Sequence, residues 1–515
     1  MSAPPFILDT TGDSSHVYAA DASVCTRRCA VWQGRYGKKE EKCDKNLKPF
    51  PKDFFWGAST SAYQVEGANA SDGKGPSCQD VKELPAGTAS LDICADHYHR
   101  YEEDIALMAE MGFKMYRFSI AWTRILPQGT GEVNQAGIDH YNKVIDCCLA
   151  HGIEPLVTMF HFDMPDALDQ RGSWSNRESV DWFVNYAKVL FENFGDRVKY
   201  WLTINEQNML TLVGPVIGTL RIPEGCTNVL KETYQQNHHM LLAQAKAMQL
   251  CHQMLPEAKI APAPNISLVY PASCKPEDIQ AAQEFNAIRN WIYLDMAVYG
   301  IYNSLVWRFL EEHDATPEIQ PGDMDIMKAA HPDFIGFNYY NTSTVQKCPA
   351  DFATGDGKVD QQKGGAEPGY FMNVPNPNLP KTEFGWEIDP MGYRNTMREM
   401  YSRYHLPMIT TENGLGAYDT LEDGKVHDQY RINYLRAHIE QLQMAISDGV
   451  EMMGYLPWSA LDLVSTHEGI RKRYGFIYVD TTDEKVGTLD RYRKDSFYWY
   501  KKVIASNGAD LSDLA

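Results

Sequence analysis

The sequence predicts an α/β fold, a single TIM-type (β/α)8 barrel with extended loops and an N-terminal extension. Two observations carry that expectation. From Phe50 onward, short apolar strand-like runs alternate with longer amphipathic stretches, the pattern of a parallel sheet whose crossovers are helices. Polar residues then crowd the C-terminal ends of those runs, the end at which a barrel carries its chemistry. At 515 residues the chain is long for an average domain. It still suits one barrel with lengthened loops, since such barrels run from roughly 200 to more than 400 residues.

Residues 1–48 stand apart. They are polar, rich in small residues, and end in the charged run Gly37 to Lys48, so an extension that is disordered or draped over the barrel is expected there. Residues 49–515 form the barrel domain. Its eight strand-like runs are Phe54–Thr60, Met115–Trp122, Glu154–His161, Lys199–Glu206, Lys259–Leu268, Phe334–Tyr340, Pro407–Gly414 and Met453–Asp462. Between most of them there is room for a helix, for example Trp174–Phe194 with apolar residues three and four apart. The gap from Tyr340 to Pro407 holds a Gly/Pro-rich segment, Ala350 to Lys381, expected as a long loop over the active-site face.

Composition narrows the partners. Hydrophobic residues make up 44% and charged residues 23%, enough apolar material for a large core. A net charge of −20, from 48 basic and 68 acidic residues, argues against nucleic acid or anionic lipid, both of which need a basic field. A small-molecule substrate is expected, with room left for a homo-oligomer. If that substrate is anionic, a local basic cluster must hold it. Eleven scattered cysteines fit a reduced, cytoplasmic setting, with Cys147 and Cys148 as buried thiols. Cys25, Cys29 and Cys43 lack a fourth ligand at usual spacing, so unpaired thiols are expected there, with no metal and no cofactor. The opening MSAPPFILDTTGDSS lacks the basic and apolar regions of a signal peptide, and no stretch reaches the ~18 apolar residues of a membrane span.

His161, Asn205, Glu206, Asn338, Tyr340, Glu412, Asn413 and Trp458 all sit at the ends of the runs. One or two would be ordinary wet strand ends; the whole set is not. Two of the runs are alike in form: Tyr200-Trp201-Leu202-Thr203-Ile204-Asn205-Glu206 and Met408-Ile409-Thr410-Thr411-Glu412-Asn413-Gly414 each end in a Glu beside an Asn. Retaining glycoside hydrolysis needs two carboxyl groups ~5–5.5 Å apart, one protonated to serve the leaving oxygen and one ionised to attack the anomeric carbon. Carboxylates so distant in sequence can meet only if the fold brings two strand ends together, as a closed barrel does.

T-I-N-E ending at Glu206 and T-E-N-G containing Glu412 resemble the acid/base and nucleophile motifs of glycoside hydrolase family 1. The resemblance extends to Phe55-Trp56-Gly57-Ala58 with Tyr63-Gln64-Val65-Glu66-Gly67, to Tyr116–Arg124, to His161-Phe162-Asp163-Met164-Pro165, to Asn338-Tyr339-Tyr340, and to Trp458 with Asp462. It implies that Gln64, His161 and Asn205 bond sugar hydroxyls, with Asn205 taking the 2-OH. It also implies that Asn338 belongs to the substrate-binding set, that Arg117 and Tyr340 orient Glu412, and that Trp458 offers its face to the pyranose. Gln207 departs from the Pro or Ile of many relatives and is expected to alter the aglycone side.

Ordinary β-glucosidases of that family usually carry Glu then Trp after the eighth strand; here Ser465 and Thr466 stand at those positions. A carboxylate there would repel a 6-phosphate, whereas a hydroxyl can donate to it. Arg471-Lys472-Arg473 is the densest basic cluster in an acidic chain, and Ser465, Lys472 and Tyr474 resemble the phosphate-binding motif of 6-phospho-β-glycosidases. Thr466 in place of Trp leans toward the gluco epimer. The function implied is retaining hydrolysis of 6-phospho-β-D-glucosides, such as phosphorylated cellobiose, gentiobiose or aryl glucosides, to glucose 6-phosphate and aglycone. The alternatives are a β-glucosidase or β-galactosidase on neutral sugars, a 6-phospho-β-galactosidase, and a non-catalytic sugar-binding relative, which would be expected to lack one carboxylate.

Overall fold

The computed structural model describes residues 47–84, 87–353, 365–466 and 468–514. Residues 1–46 of the expected extension, with Cys25, Cys29 and Cys43, lie outside them. Each of the eight expected runs matches a strand, the eighth starting one residue before its run: β1 Phe55–Ser59, β2 Met115–Ser119, β3 Glu154–Phe160, β4 Tyr200–Asn205, β5 Lys259–Ala263, β6 Ile335–Asn338, β7 Met408–Glu412 and β8 Met452–Tyr455. They pair in parallel in the order β5-β4-β3-β2-β1-β8-β7-β6. The two ends meet through a parallel bridge of Asn265 with Asn338, where Asn338 N donates to Pro264 O (2.9 Å) and Ile266 N donates to Asn338 O (2.9 Å). The sheet is thereby a barrel with no free edge.

Met115, Leu156, Leu202, Ala261, Ile409 and Leu456, drawn from strands around the barrel or their immediate continuations, form one fully buried cluster that fills it. The outer faces of the strands meet the helices in the main core. Gly57 shows how tight the strand packing is, since a Cβ there would lie 1.7 Å from Met115 O. The helix expected over Trp174–Phe194 begins later, at Ser179, after a 3-10 turn at Ser173–Ser175. Gly172 in the left-handed region precedes that turn, and Asn176 Oδ1 accepts from Glu178 N (2.9 Å), so the local side-chain bond breaks the periodic run. From Ser179 on, buried Val180, Phe183, Ala187, Leu190 and Phe194 give the expected spacing.

Within the Gly/Pro-rich segment Ala350 to Lys381, expected as a long loop, the described residues hold two short strands, Ala366–Glu367 and Phe371–Asn373. Ser343–Lys347, Ala366–Glu367 and Phe371–Asn373 join Val269–Pro271 in a four-stranded sheet, and the helix Pro390–Tyr404 follows, its first turn capped by Asp389 Oδ1 accepting from Gly392 N (2.8 Å). Among the described residues no helix is long and apolar enough to cross a membrane.

The loops after β7 and β8 are tied by a buried ionic network. Lys494 Nζ donates to Asp462 Oδ1 (2.6 Å) and to Asp419, Arg473 Nη1 to Asp462 Oδ2 (2.8 Å), and Arg431 to Asp419 and Asp428 (both 2.9 Å). Removing one member leaves its partners charged, buried and unmatched. Lys494→Ala is therefore expected to lower unfolding free energy by about 3–5 kcal/mol, read from the urea midpoint at unchanged slope. Lys501→Ala, whose half-exposed side chain faces Glu110 at 3.6 Å, should cost less than about 1 kcal/mol.

Candidate active site

The strand ends open into a cavity. Glu206 and Glu412 both line it, at the ends of β4 and β7. Each strand carries a register irregularity just before its Glu, between Leu202 and Asn205 in β4 and between Thr410 and Glu412 in β7. Such irregularities re-aim side chains. In β7 the shift brings Glu412 to the side that Ile409 faces, where simple alternation would not, and Glu206 adopts a left-handed φ of 45°.

The two carboxyls have different surroundings. Glu412 Oε1 accepts from Arg117 Nη1 at 2.5 Å and Oε2 from the Tyr340 hydroxyl at 2.6 Å. Arg117 is fully buried and spends its other donors on Thr158 Oγ1 (2.7 Å) and Asn205 Oδ1 (2.6 Å), so its position is fixed from three strands. Glu206 has no cation bonded to it. Its Oε1 accepts from the amides of Asn265 (2.8 Å) and Asn338 (2.9 Å). Burial, and then the charge of Glu412, push its pKa up to about 7, against the pull of those two amides and of Arg289. A carboxyl that keeps its proton near neutrality beside one matched to a guanidinium is the asymmetry that paired acid and nucleophile chemistry requires.

Behind Glu206 stands a second layer. Arg289, buried in a π-helical turn at Ala287–Trp291, donates to Asn265 O (2.8 Å) and Oδ1 (3.0 Å), which leaves the Asn265 NH2 pointing at Glu206. Asn338 is held by Thr411 Oγ1, which donates to its Oδ1 (2.6 Å), and its NH2 bridges Asn205 (3.1 Å) and Glu206. Asn338 and Arg117 do not line the cavity; they sit beneath it and orient what does. Gln64, His161, Asn205, Tyr340 and Trp458 do line it. Gln64 is pinned by Ser61 Oγ (2.6 Å) and by its own donation to Val464 O (2.8 Å), and the rings of His161 and Trp458 lie nearly parallel, 5.7 Å apart. Gln207 turns the other way, donating to Asn237 Oδ1 (2.7 Å) and accepting from Gln244, so the expected influence on the aglycone side has no contact behind it.

Ser465, Lys472 and Tyr474 line the same cavity, together with Thr466, Glu468 and Trp386. The basic cluster splits. Arg473 is buried on Asp462, while exposed Arg471 pairs with Glu468 at 2.5 Å, which matches the carboxylate nearest this end. Only Lys472 of the three turns inward, its ammonium 3.7 Å from the centroid of the Trp386 ring and 4.8 Å from that of Phe384. Tyr63 Oη and Thr466 Oγ1 bond at 3.0 Å.

The model of glycosyl hydrolase family 1 matches residues 46–509. The chain belongs to that family. Among its family 1 relatives is the aryl-phospho-β-D-glucosidase BglC of Bacillus subtilis, 46% identical over 476 residues, covering 90% of this chain and 98% of the relative. The phospho-cellobiase of Klebsiella oxytoca is 42% identical over 482 residues, covering 91% and 100%. Of solved structures, a family 1 β-glucosidase from Thermotoga maritima superposes with a TM-score of 0.81 at 39% identity, covering 90% of this chain and all of that one.

Asn265, Arg289, Phe384, Trp386 and Glu468 of this family 1 site were not among the residues singled out from the sequence. Asn265 lies within the fifth strand-like run, two residues past the end of β5, but as a lone amide it had nothing to distinguish it. Arg289 sits in a helix, and Phe384 and Trp386 in a loop without periodicity, so only the fold brings them to the cavity. The contrast between the two carboxyls is measurable. With the side chains of Glu labelled with carbon-13, Glu206 is expected to titrate near pH 7. In Glu412→Gln its pKa should fall, because one of the two causes of the upward shift is gone, yet stay above the ordinary value because burial remains. No fall would show that the two carboxyls do not feel each other.

Proposed function

We propose that the chain is a retaining 6-phospho-β-glucosidase, with Glu412 as nucleophile and Glu206 as acid/base. The observation that carries this reading is the presence of Ser465, Lys472 and Tyr474 on the wall of the cavity that holds both carboxyls. The names of the Bacillus and Klebsiella relatives support it.

The glucosyl ring packs its apolar face on Trp458, with its hydroxyls toward Gln64, His161 and Asn205. Its 6-phosphate accepts from Ser465, Lys472 and Tyr474. A Glu412 oxygen attacks the anomeric carbon while the bond to the aglycone oxygen breaks, and Glu206 gives that oxygen its proton. Arg117 and Tyr340 hold Glu412 in line, and Asn205 meets the 2-OH, a contact that strengthens at the transition state. Glu206, now ionised, then takes a proton from water. The water oxygen bonds to the anomeric carbon, Glu412 leaves, and glucose 6-phosphate departs with its configuration retained. The unpaired state of the described cysteines suits a cytoplasmic setting.

Hydrolysis of p-nitrophenyl β-glucoside 6-phosphate should far exceed that of the neutral glucoside, and equal or better rates on the neutral substrate would overturn the phosphate assignment. Lys472→Ala is expected to raise KM for the phosphorylated substrate roughly 10- to 100-fold, the loss of one bond between charged partners, and to leave the neutral one nearly unchanged. Glu412→Gly should abolish turnover, with azide restoring it by forming the α-azide. Activity should also fall as pH rises through about 7, because Glu206 then loses the proton it must donate.

A further inference from the structure

We infer that Gly416 is a specificity-determining positioning residue: the space left by its missing side chain seats the stem of Lys472 and so fixes where the ammonium meets the substrate's 6-phosphate. The inference rests on the phosphate reading above.

Gly416 lies in the loop after β7 and does not line the cavity. Its φ lies outside the left-handed region, so its backbone does not require glycine. What surrounds it does. A Cβ at this position would stand 2.4 Å from Cγ, 2.7 Å from Cε and 3.0 Å from Cδ of Lys472, and these three atoms are its nearest neighbours. The lysine stem therefore lies across the bare glycine for nearly its whole length.

The backbones on either side cannot separate to admit a methyl group. Ala417 and Arg473 exchange both of their hydrogen bonds at 3.0 Å, making an antiparallel bridge one residue beyond Gly416 and Lys472. Arg431 clamps the same two segments, donating from Nη1 to Leu415 O (2.8 Å) and Tyr474 O (3.2 Å) and from Nη2 to Arg473 O (3.3 Å). Asp419 and Asp428 hold Arg431 in turn. With the frame fixed, the flexible stem is what yields to an added methyl.

At the far end, the ammonium sits 3.7 Å from the Trp386 ring centroid, 4.8 Å from Phe384 and 5.7 Å from Tyr474. Ring faces attract a cation, so this setting orders the ammonium. A lysine stem has four rotatable bonds and loses that freedom when it is held. Gly416 and the rings together hold it before substrate arrives, a preorganisation that lowers the entropy lost on binding.

The test is steady-state kinetics of the full chain and its Gly416→Ala, Lys472→Ala and doubly substituted forms, with p-nitrophenyl β-glucoside 6-phosphate and the neutral glucoside. Gly416→Ala is expected to raise KM for the phosphorylated substrate roughly ten-fold, with kcat and the neutral substrate little changed. In the Lys472→Ala background it should add nothing, because the stem it displaces is no longer there. An unchanged KM for the phosphorylated substrate overturns the inference. So does an equal loss on both substrates, a penalty that persists without Lys472, or a Gly416→Ala chain that does not fold while the wild type does. If Lys472→Ala itself shows no phosphate-dependent loss, the phosphate reading fails and this inference with it; if Lys472→Ala shows the loss and Gly416→Ala does not, only the inference fails.

Discussion

Barrel closure is fastened at two places, by Asp333 N donating to Ile260 O (3.0 Å) at one end of the seam and by Asn338 at the other. The backbone N–H and C=O of Asn338 make the bonds that join β6 to the continuation of β5, and its side-chain amide reaches Asn205 and Glu206 on β4. Neither half of that residue can shift without the other. A closed sheet has no edge at which small errors in register can be absorbed, so the geometry of the seam is imposed on every strand around the ring. Glu206, Asn205 and, through Arg117, Glu412 thus inherit their positions from the same constraint that makes the sheet a barrel.

Within that frame, the two carboxyls differ because their neighbours differ in charge rather than in polarity. Glu412 is matched to a buried guanidinium, and Glu206 receives only neutral amides. Low local dielectric accentuates this for Glu206, since a buried carboxyl without a bonded cation resists ionisation. The charge of Arg289, whose hydrogen bonds go to Asn265, favours the ionised form of Glu206 and tempers the upward shift without cancelling it.

Much of this was legible in the sequence, and the limits have physical causes. Strands buried on both faces must be apolar, so all eight stood out as runs, and the polar residues at their ends marked the working face. Burial in a crossover helix reads as a period of three and four, but the turn at Ser173–Ser175 is set by Gly172 and Asn176, a local competition that periodicity averages away. Arg471, Lys472 and Arg473 read as one basic cluster because their facing depends on the bridge between Ala417 and Arg473, a contact between distant segments. Asn338 read as a sugar contact because its place one layer beneath the surface is a matter of depth, which strand position alone does not convey. Phe384 and Trp386 carry no periodic signal at all.

The buried network of Lys494, Asp462, Asp419 and Arg431 has a consequence for how such a site can diversify. It ties the loop after β7 to the loop after β8. A change of sugar preference drawn from one loop alone would meet a partner shaped for the old one. Recombination between homologous chains would keep its gains only when both segments are exchanged together with the C-terminal lysine that joins them, which makes that trio, rather than any single position, the heritable unit of selectivity.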